Sequence, residues 1–148
     1  MPFTGTYARS IDDKLRIAIP KPIRAKLGES RDAFLYMAPG TDGCVSIYTE
    51  NEFARLAEQL ATVSPAAEQS RAFSRLFYGQ AQQIQLDRQS RIRIPSELAQ
   101  WARLERDAIL VGVRDHLELW DRQRWEEYRT KLRPRYDEIA AAAFRREG

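Results

Sequence analysis

Ile11-Asp12-Asp13-Lys14-Leu15-Arg16-Ile17-Ala18-Ile19-Pro20 returns seventy-five residues later as Leu86-Asp87-Arg88-Gln89-Ser90-Arg91-Ile92-Arg93-Ile94-Pro95. Each copy sets an apolar residue before an Asp, then three turn residues, an Arg, a short alternating stretch and a Pro. Alternation at period two sends Ile17 and Ile19 to one face of a strand, and Ile92 and Ile94 likewise. The opposite face carries Arg16 and Ala18 in the first copy, Arg91 and Arg93 in the second. Asp suits the head of such a turn, because its carboxylate accepts backbone N–H groups two residues on. A strand of this kind packs through its apolar back and offers a basic front to something outside the core.

Outward from the motif, Thr6 to Ile11 reads as a strand that enters the first turn, so the first unit is expected to be a hairpin-like pair. Pro20 and Pro22 stop the second strand and open a short helix, with Ile23 and Leu27 on one face and Gly28 at its end. Ala33 to Ala38 and Cys44 to Tyr48 are apolar runs of strand length around the turn cluster Pro39-Gly40-Thr41-Asp42-Gly43. Thr49-Glu50-Asn51-Glu52 is a capping box ahead of a helix with Phe53, Leu56 and Leu60 inward. Ser64-Pro65 opens a bridging helix that carries Phe73, Leu76 and Phe77 together and ends at Gly79.

The order then repeats. Gln82 to Leu86 leads into the second motif, and Ser96 caps a short helix with Leu98, Trp101 and Ala102 on one face. Ala108 to Val113 matches Ala33 to Ala38 at the same offset of 75, and Leu117 to Trp120 matches Val45 to Tyr48 at 72. The missing residues are expected in the hairpin turn Arg114-Asp115-His116, where deletions are tolerated best. Asp121 caps a helix with Trp125, Tyr128 and Leu132, and Arg135 to Glu147 reads as a final helix around Tyr136, Ile139 and Ala143. Half of the chain yields about four short strands with open edges and little core, so the halves are expected to pair. The fold class is therefore α+β, one compact β-barrel with internal pseudo-twofold symmetry and flanking helices. The expected divisions are a first repeat at 4–52, linking helices at 53–80, a second repeat at 81–124 and C-terminal helices at 125–148.

With 43% hydrophobic and 30% charged residues among 148, the chain has the composition of an ordinary globular domain. Its net charge of +3 leans basic, and arginine, the better residue for bidentate phosphate or guanine contacts, carries most of it. The single cysteine, Cys44, permits no disulfide within the chain and reads as a small buried hydrophobe in a strand. Met1 to Tyr7 lacks the basic-then-apolar pattern of a signal peptide, and no run approaches the roughly twenty apolar residues of a membrane span. A soluble, cytoplasmic protein is expected. One histidine, His116, excludes a multi-histidine metal site in one chain, and no phosphate loop, Cys-x-x-Cys pair or nucleophile elbow is present. No enzyme, cofactor or metal is expected.

The motif itself admits two readings. In the bland one, Asp12 and Asp87 shape turns, Arg16 and Arg91 pair with them, and the surface is solvated. Exposed ion pairs contribute little to stability, which gives the pattern little reason to recur. In the functional one, Arg9, Lys14, Arg16, Lys21, Arg24 and Lys26 outnumber Asp12 and Asp13, and Arg88, Arg91 and Arg93 outnumber Asp87 and Glu97. That is a basic ledge suited to nucleic acid.

Three further groups of residues sharpen the choice: Phe3-x-Gly5, Phe77-Tyr78-Gly79-x-Ala81, and Leu110-Val111-Gly112-Val113-x-Asp115-His116-x-Glu118-Leu119-Trp120-Asp121-x-x-x-Trp125-x-x-Tyr128. With Asp12-x-Lys14-x-Arg16, Ile19-Pro20 and the second motif through Leu98, they make the sequence resemble the MraZ family, bacterial transcriptional regulators built from two tandem AbrB/SpoVT-like domains. The likeness runs to about Leu132. It implies an AbrB-like swapped-hairpin barrel assembled from both halves of one chain. It also implies a ring homo-oligomer on double-stranded DNA, at direct-repeat boxes upstream of the division and cell-wall operon that contains its own gene. Repression and a nucleoid location follow from the same resemblance.

Carried over by position, the resemblance gives DNA contact to Lys14 and Arg16, with Arg16 bidentate to a guanine or phosphate and Asp12 ordering the turn. Arg9, Arg88, Arg91 and Arg93 are secondary candidates. Two departures stand out: the usual Gly before the motif Arg is Leu15 in one copy and Ser90 in the other, and Gln89 replaces the second Lys. A Leu at a position requiring φ > 0 is expected to reshape the first turn. The alternative reading is an AbrB-like antitoxin or protein-interaction module, which calls for a disordered, partner-binding tail.

Overall fold

In the computed structural model, residues 2–27 and 34–145 are described. The expected helix end at Gly28, the strand start at Ala33 and the close of the tail after Arg145 lie outside the described residues. The chain runs through β1 (Thr6–Ser10), β2 (Arg16–Ala18), α1 (Lys21–Lys26), β3 (Phe34–Pro39), β4 (Val45–Thr49) and α2 (Glu50–Ala61). Helix α3 (Glu68–Gln80) bridges to β5 (Gln82–Gln85), β6 (Arg91–Arg93), α4 (Ser96–Trp101), β7 (Asp107–Val113), β8 (His116–Asp121) and α5 (Arg122–Leu132). A 3-10 turn, Arg133–Arg135, leads to α6 (Tyr136–Ala143).

The strands pair across the repeats. An antiparallel six-stranded sheet runs β1-β7-β8-β4-β3-β5, and β2 pairs with β6 in a separate two-stranded ribbon. The expected β1–β2 hairpin is thus not formed: Tyr7 lies opposite Leu110 of the second repeat, and β5 returns the exchange by pairing with β3. The turn between β1 and β2 is nevertheless closed, with Asp12 N–H donating to the Arg16 carbonyl and Leu15 N–H to that of Asp12, at 3.0 Å each. Local turn chemistry closes the corner, while edge satisfaction across repeats chooses the ladder partners.

Two cross-strand pairs mark the pseudo-twofold axis. Ile17 faces Ile92, and Ser46 faces Glu118, each residue opposite its own counterpart. Leu35 faces Ile84 and Thr49, as Ala108 faces Arg9 and Asp121. Leu35, not Ala33, is therefore the counterpart of Ala108, and the offset for this strand is 73 rather than 75. Two of the three missing residues fall before β7 and only one in the hairpin turn.

One core lies between ribbon and sheet. Ile17, Ile19, Ile92 and Ile94 of the motif strands join Leu35, Met37, Val45, Ile47, Leu110, Leu117 and Leu119 of the sheet, all buried. The period-two reading thus sends the motif isoleucines inward, and burying each such side chain contributes roughly 1.5–3 kcal/mol. The far face of the sheet is covered twice. Phe53 of α2 stacks on Tyr36 at 4.3 Å between ring centres, and on α5 Trp125 and Tyr128 meet Trp120 at 5.3 and 4.9 Å. Both helices are capped as expected: Thr49 Oγ1 accepts from Glu52 N–H and Asp121 Oδ2 from Arg124 N–H. At Gly112 the N-terminal segment crosses the sheet so closely that a Cβ would sit 2.5 Å from the Thr4 nitrogen.

Other expectations shift. Ser64 closes a turn, its Oγ accepting from Ala66 N–H and its carbonyl from Ala67 N–H, and α3 begins at Glu68 and passes Gly79 to Gln80. Ser96 is the first residue of α4 and caps nothing. Cys44 is fully buried just ahead of β4 and not within it, its thiol donating to the Thr41 carbonyl at 3.3 Å. Trp101, expected inward beside Leu98 and Ala102, is 45% exposed. The six-residue α4 buries the arc from Leu98 through Ala102 to Ala99, and Trp101 falls at its edge with Nε1 donating to the Cys44 carbonyl at 3.0 Å.

Candidate nucleic-acid interface

The two motif turns are superposable in their bonding. Asp12 Oδ1 accepts from the backbone N–H of Lys14 at 3.0 Å and of Arg16 at 2.8 Å, while Oδ2 accepts from Arg16 Nε at 2.8 Å. Asp87 does the same for Gln89 at 2.8 Å, for Arg91 N–H at 2.9 Å and for Arg91 Nε at 2.9 Å. One carboxylate therefore closes the turn and aims the arginine. The backbone hydrogen bond from Arg16, with its side-chain bond, holds the Asp12 carboxyl below the usual carboxylate range. For Asp87, desolvation acts upward, and the bonds from Arg91 and Gln89 outweigh it to give the same downward direction.

Both turns require a left-handed residue, and the two departures from the family pattern occupy it: Leu15 at φ 60° and Ser90 at φ 57°. The expected reshaping of the first turn does not occur. Leu15 rests its side chain on the core, and the carbonyls of both residues are used across the axis. Ile94 N–H donates to the Leu15 carbonyl at 2.7 Å, and Ile19 N–H to that of Ser90 at 2.9 Å. The unfavourable φ thus extends the ribbon ladder by one bond at each end.

The pairing of β2 with β6 sets Arg16 directly opposite Arg93, and Ala18 opposite Arg91. With Ile17 and Ile92 turned inward, the three arginines share the outer face of one ribbon. Opposed like charges on a ribbon are destabilising, so this arrangement contributes nothing to stability. The Arg16 and Arg91 side chains are 27% and 30% exposed, and with Nε held by the Asp their terminal amino groups have no partner among the described residues. Lys14 and Arg88 lie exposed in their respective turns. Arg9 is elsewhere: on edge strand β1 it alternates with the outward Ala8 and Ser10, and its Nε is buried without a hydrogen-bond partner.

Arg93 is a secondary candidate by motif position, since Gln89 replaces the motif Lys in its copy; the antiparallel register, which neither copy carries alone, sets it opposite Arg16. His116 bridges Asp115 at 2.7 Å and Glu118 at 3.2 Å and stacks on Tyr48, a structural turn cluster. The Glu118 bond, against desolvation and with help from Asp115, raises its pKa. Burial pushes the Cys44 thiol up to about 12, so it is no nucleophile. No helix among the described residues is long and apolar enough to cross a membrane.

Known proteins are similar to this chain in sequence across both repeats. The family model described as MraZ protein, antitoxin-like, matches the chain twice, at residues 2–76 and 77–147. The chain is 37% identical over 138 residues to a transcriptional regulator MraZ of Heliobacterium modesticaldum, covering 93% of this chain and 94% of that one. It is 38% identical to that of Alkaliphilus oremlandii over 93% and 94% of the two chains, and 35% identical to that of Lactiplantibacillus plantarum over 93% and 95%. The repeated sheet-and-ribbon frame, the paired Asp–Arg turns and this full-length similarity together place the chain in the MraZ family, a class of transcriptional regulators and not of enzymes.

Proposed function

We propose that the chain is a sequence-specific DNA-binding regulator that lays the β2–β6 ribbon against the major groove of double-stranded DNA. The supporting observation is the outer ribbon face, where Arg16 stands opposite Arg93 beside Arg91. A two-stranded ribbon fits the major groove, and arginine terminal amino groups match guanine O6 and N7 or a phosphate. Arg16 is the base-edge or phosphate contact, Lys14 a neighbouring contact from the turn, and Arg93 and Arg91 continue the basic face. Arg88 reaches a flanking phosphate, and Arg9 supports the sheet edge. Asp12 and Asp87 orient.

On this reading ribbon and sheet together form the AbrB-like swapped-hairpin barrel around their shared core. The protein acts in the cytoplasm at the nucleoid, as a ring of identical subunits on direct-repeat boxes, and represses the division and cell-wall operon that holds its own gene. Repeated weak contacts gain affinity through effective concentration when tandem boxes meet tandem subunits. The antitoxin alternative called for a disordered tail, whereas Tyr136–Ala143 is a helix.

The test is a footprint of the full-length protein on the DNA upstream of its gene, followed by gel shifts on one, two and four boxes. Protection of regularly spaced boxes, with binding that rises steeply with box number and falls with salt, is expected. Equal affinity for one box and four would refute the ring mechanism.

A further inference from the structure

The described chain leaves two large apolar features uncovered, one concave and one convex. The concave one is a groove of about 540 Å³ between the β3–β4 corner, α3 and α4, floored by Pro39, Phe73, Leu76, Phe77 and Trp101. Leu76 is 65% exposed there. The convex one is α6, none of whose residues is buried, with Tyr136 71% exposed at its start, Ile139 within it and Phe144 87% exposed just past its end. An uncovered apolar patch of this kind marks an interaction surface.

We infer that α6 of one copy of this chain docks in the groove of the next, head to tail. Charge agrees: Arg103 and Arg124 outnumber Asp42 on the groove's rim, and α6 opens with Asp137 beside Glu138, which pairs with Arg135 at 3.3 Å. Gly79 agrees as well. It lies in α3 one turn beyond Leu76, where a glycine costs helix stability, and the space around its Cα is empty. A bare backbone beside the groove admits the close approach of another helix. Groove and helix are different patches, so the joint is heterologous, and repetition closes a ring wherever the rotation closes. The inference rests on the ring proposed above and supplies its interface.

Native mass spectrometry and sedimentation of the full-length protein, without DNA, test it. Leu76→Glu and Ile139→Glu change exposed residues, so both variants keep the wild-type fold by circular dichroism. Each alone should raise the concentration for half-assembly by at least about thirty-fold. Mixed, they should form a one-to-one heterodimer, because one intact groove still meets one intact helix. Gly79→Ala should raise thermal stability while weakening assembly. A monomeric wild type, which includes α6 folding back on its own groove, overturns the inference. Wild-type assembly by either charged variant, or failure of the mixture to pair, does so too. Assembly without any DNA binding would leave this interface standing and refute only the regulator reading.

Discussion

Arg93→Thr is expected to move stability and DNA binding in opposite directions. Arg93 and Arg16 are direct cross-strand neighbours on the exposed face of a two-stranded ribbon. Two unit charges about 7 Å apart at the dielectric constant of water repel by about 0.6 kcal/mol. Threonine removes that term and favours the strand, so urea denaturation should show a gain of roughly 0.5–1 kcal/mol, shrinking as salt screens the repulsion. On DNA the loss of one cationic contact should lower the slope of log affinity against log salt by about one per bound subunit. Fluorescence anisotropy of labelled operator from about 50 to 300 mM salt measures that slope. An unchanged slope would take the ribbon face off the DNA, and a destabilised variant would refute the like-charge argument.

Ser90→Gly should stabilise by up to about 1 kcal/mol, since it relieves a left-handed serine, whereas Leu15→Gly should destabilise because Leu15 also packs on the core; thermal melts of the pair decide this. Gly112→Ala should cost about 1–3 kcal/mol in urea denaturation, because the new methyl meets the Phe3–Thr4 backbone and not a side chain that can turn aside. His116, facing Asp115, Glu118 and Tyr48, has a raised pKa, so its charged form contributes stability in full below its ordinary 6.5, and that contribution is lost as pH rises through the raised value. A His116→Gln variant should flatten the fall in melting temperature above about pH 6.5, and a parallel pair of profiles would contradict the linkage.

The repeat, the inward isoleucines and the two Asp-held turns were legible because each is a local pattern: spacing, alternation, a carboxylate two and four residues from its donors. Partner choice was not. Period-two alternation tells which face of a strand is buried and says nothing of which strand lies beside it, so β1 read as the neighbour of β2 when its partner is β7. The same gap hid Arg93, whose place beside Arg16 follows from the register and not from its own copy of the motif. Trp101 and Leu76 read as core because helical spacing aligns them with Leu98 and Phe73. Short amphipathic helices bury a narrow arc, and both residues sit at its rim, where they line the groove. The left-handed turn position was foreseen, but its accommodation of Leu15 depended on core contacts that only the assembled fold supplies.

Arg16 carries the central claim, and a loss-of-contact titration tests it most directly. Wild type and Arg16→Ala are bound to tandem boxes in which each guanine is changed in turn, with the assembled mass of both proteins checked beforehand. The variant should keep its mass, bind the intact boxes at least about tenfold more weakly, and either lose discrimination at one guanine or weaken evenly at all, as a base-edge or phosphate contact requires. Full wild-type affinity and unchanged discrimination in Arg16→Ala would contradict the account.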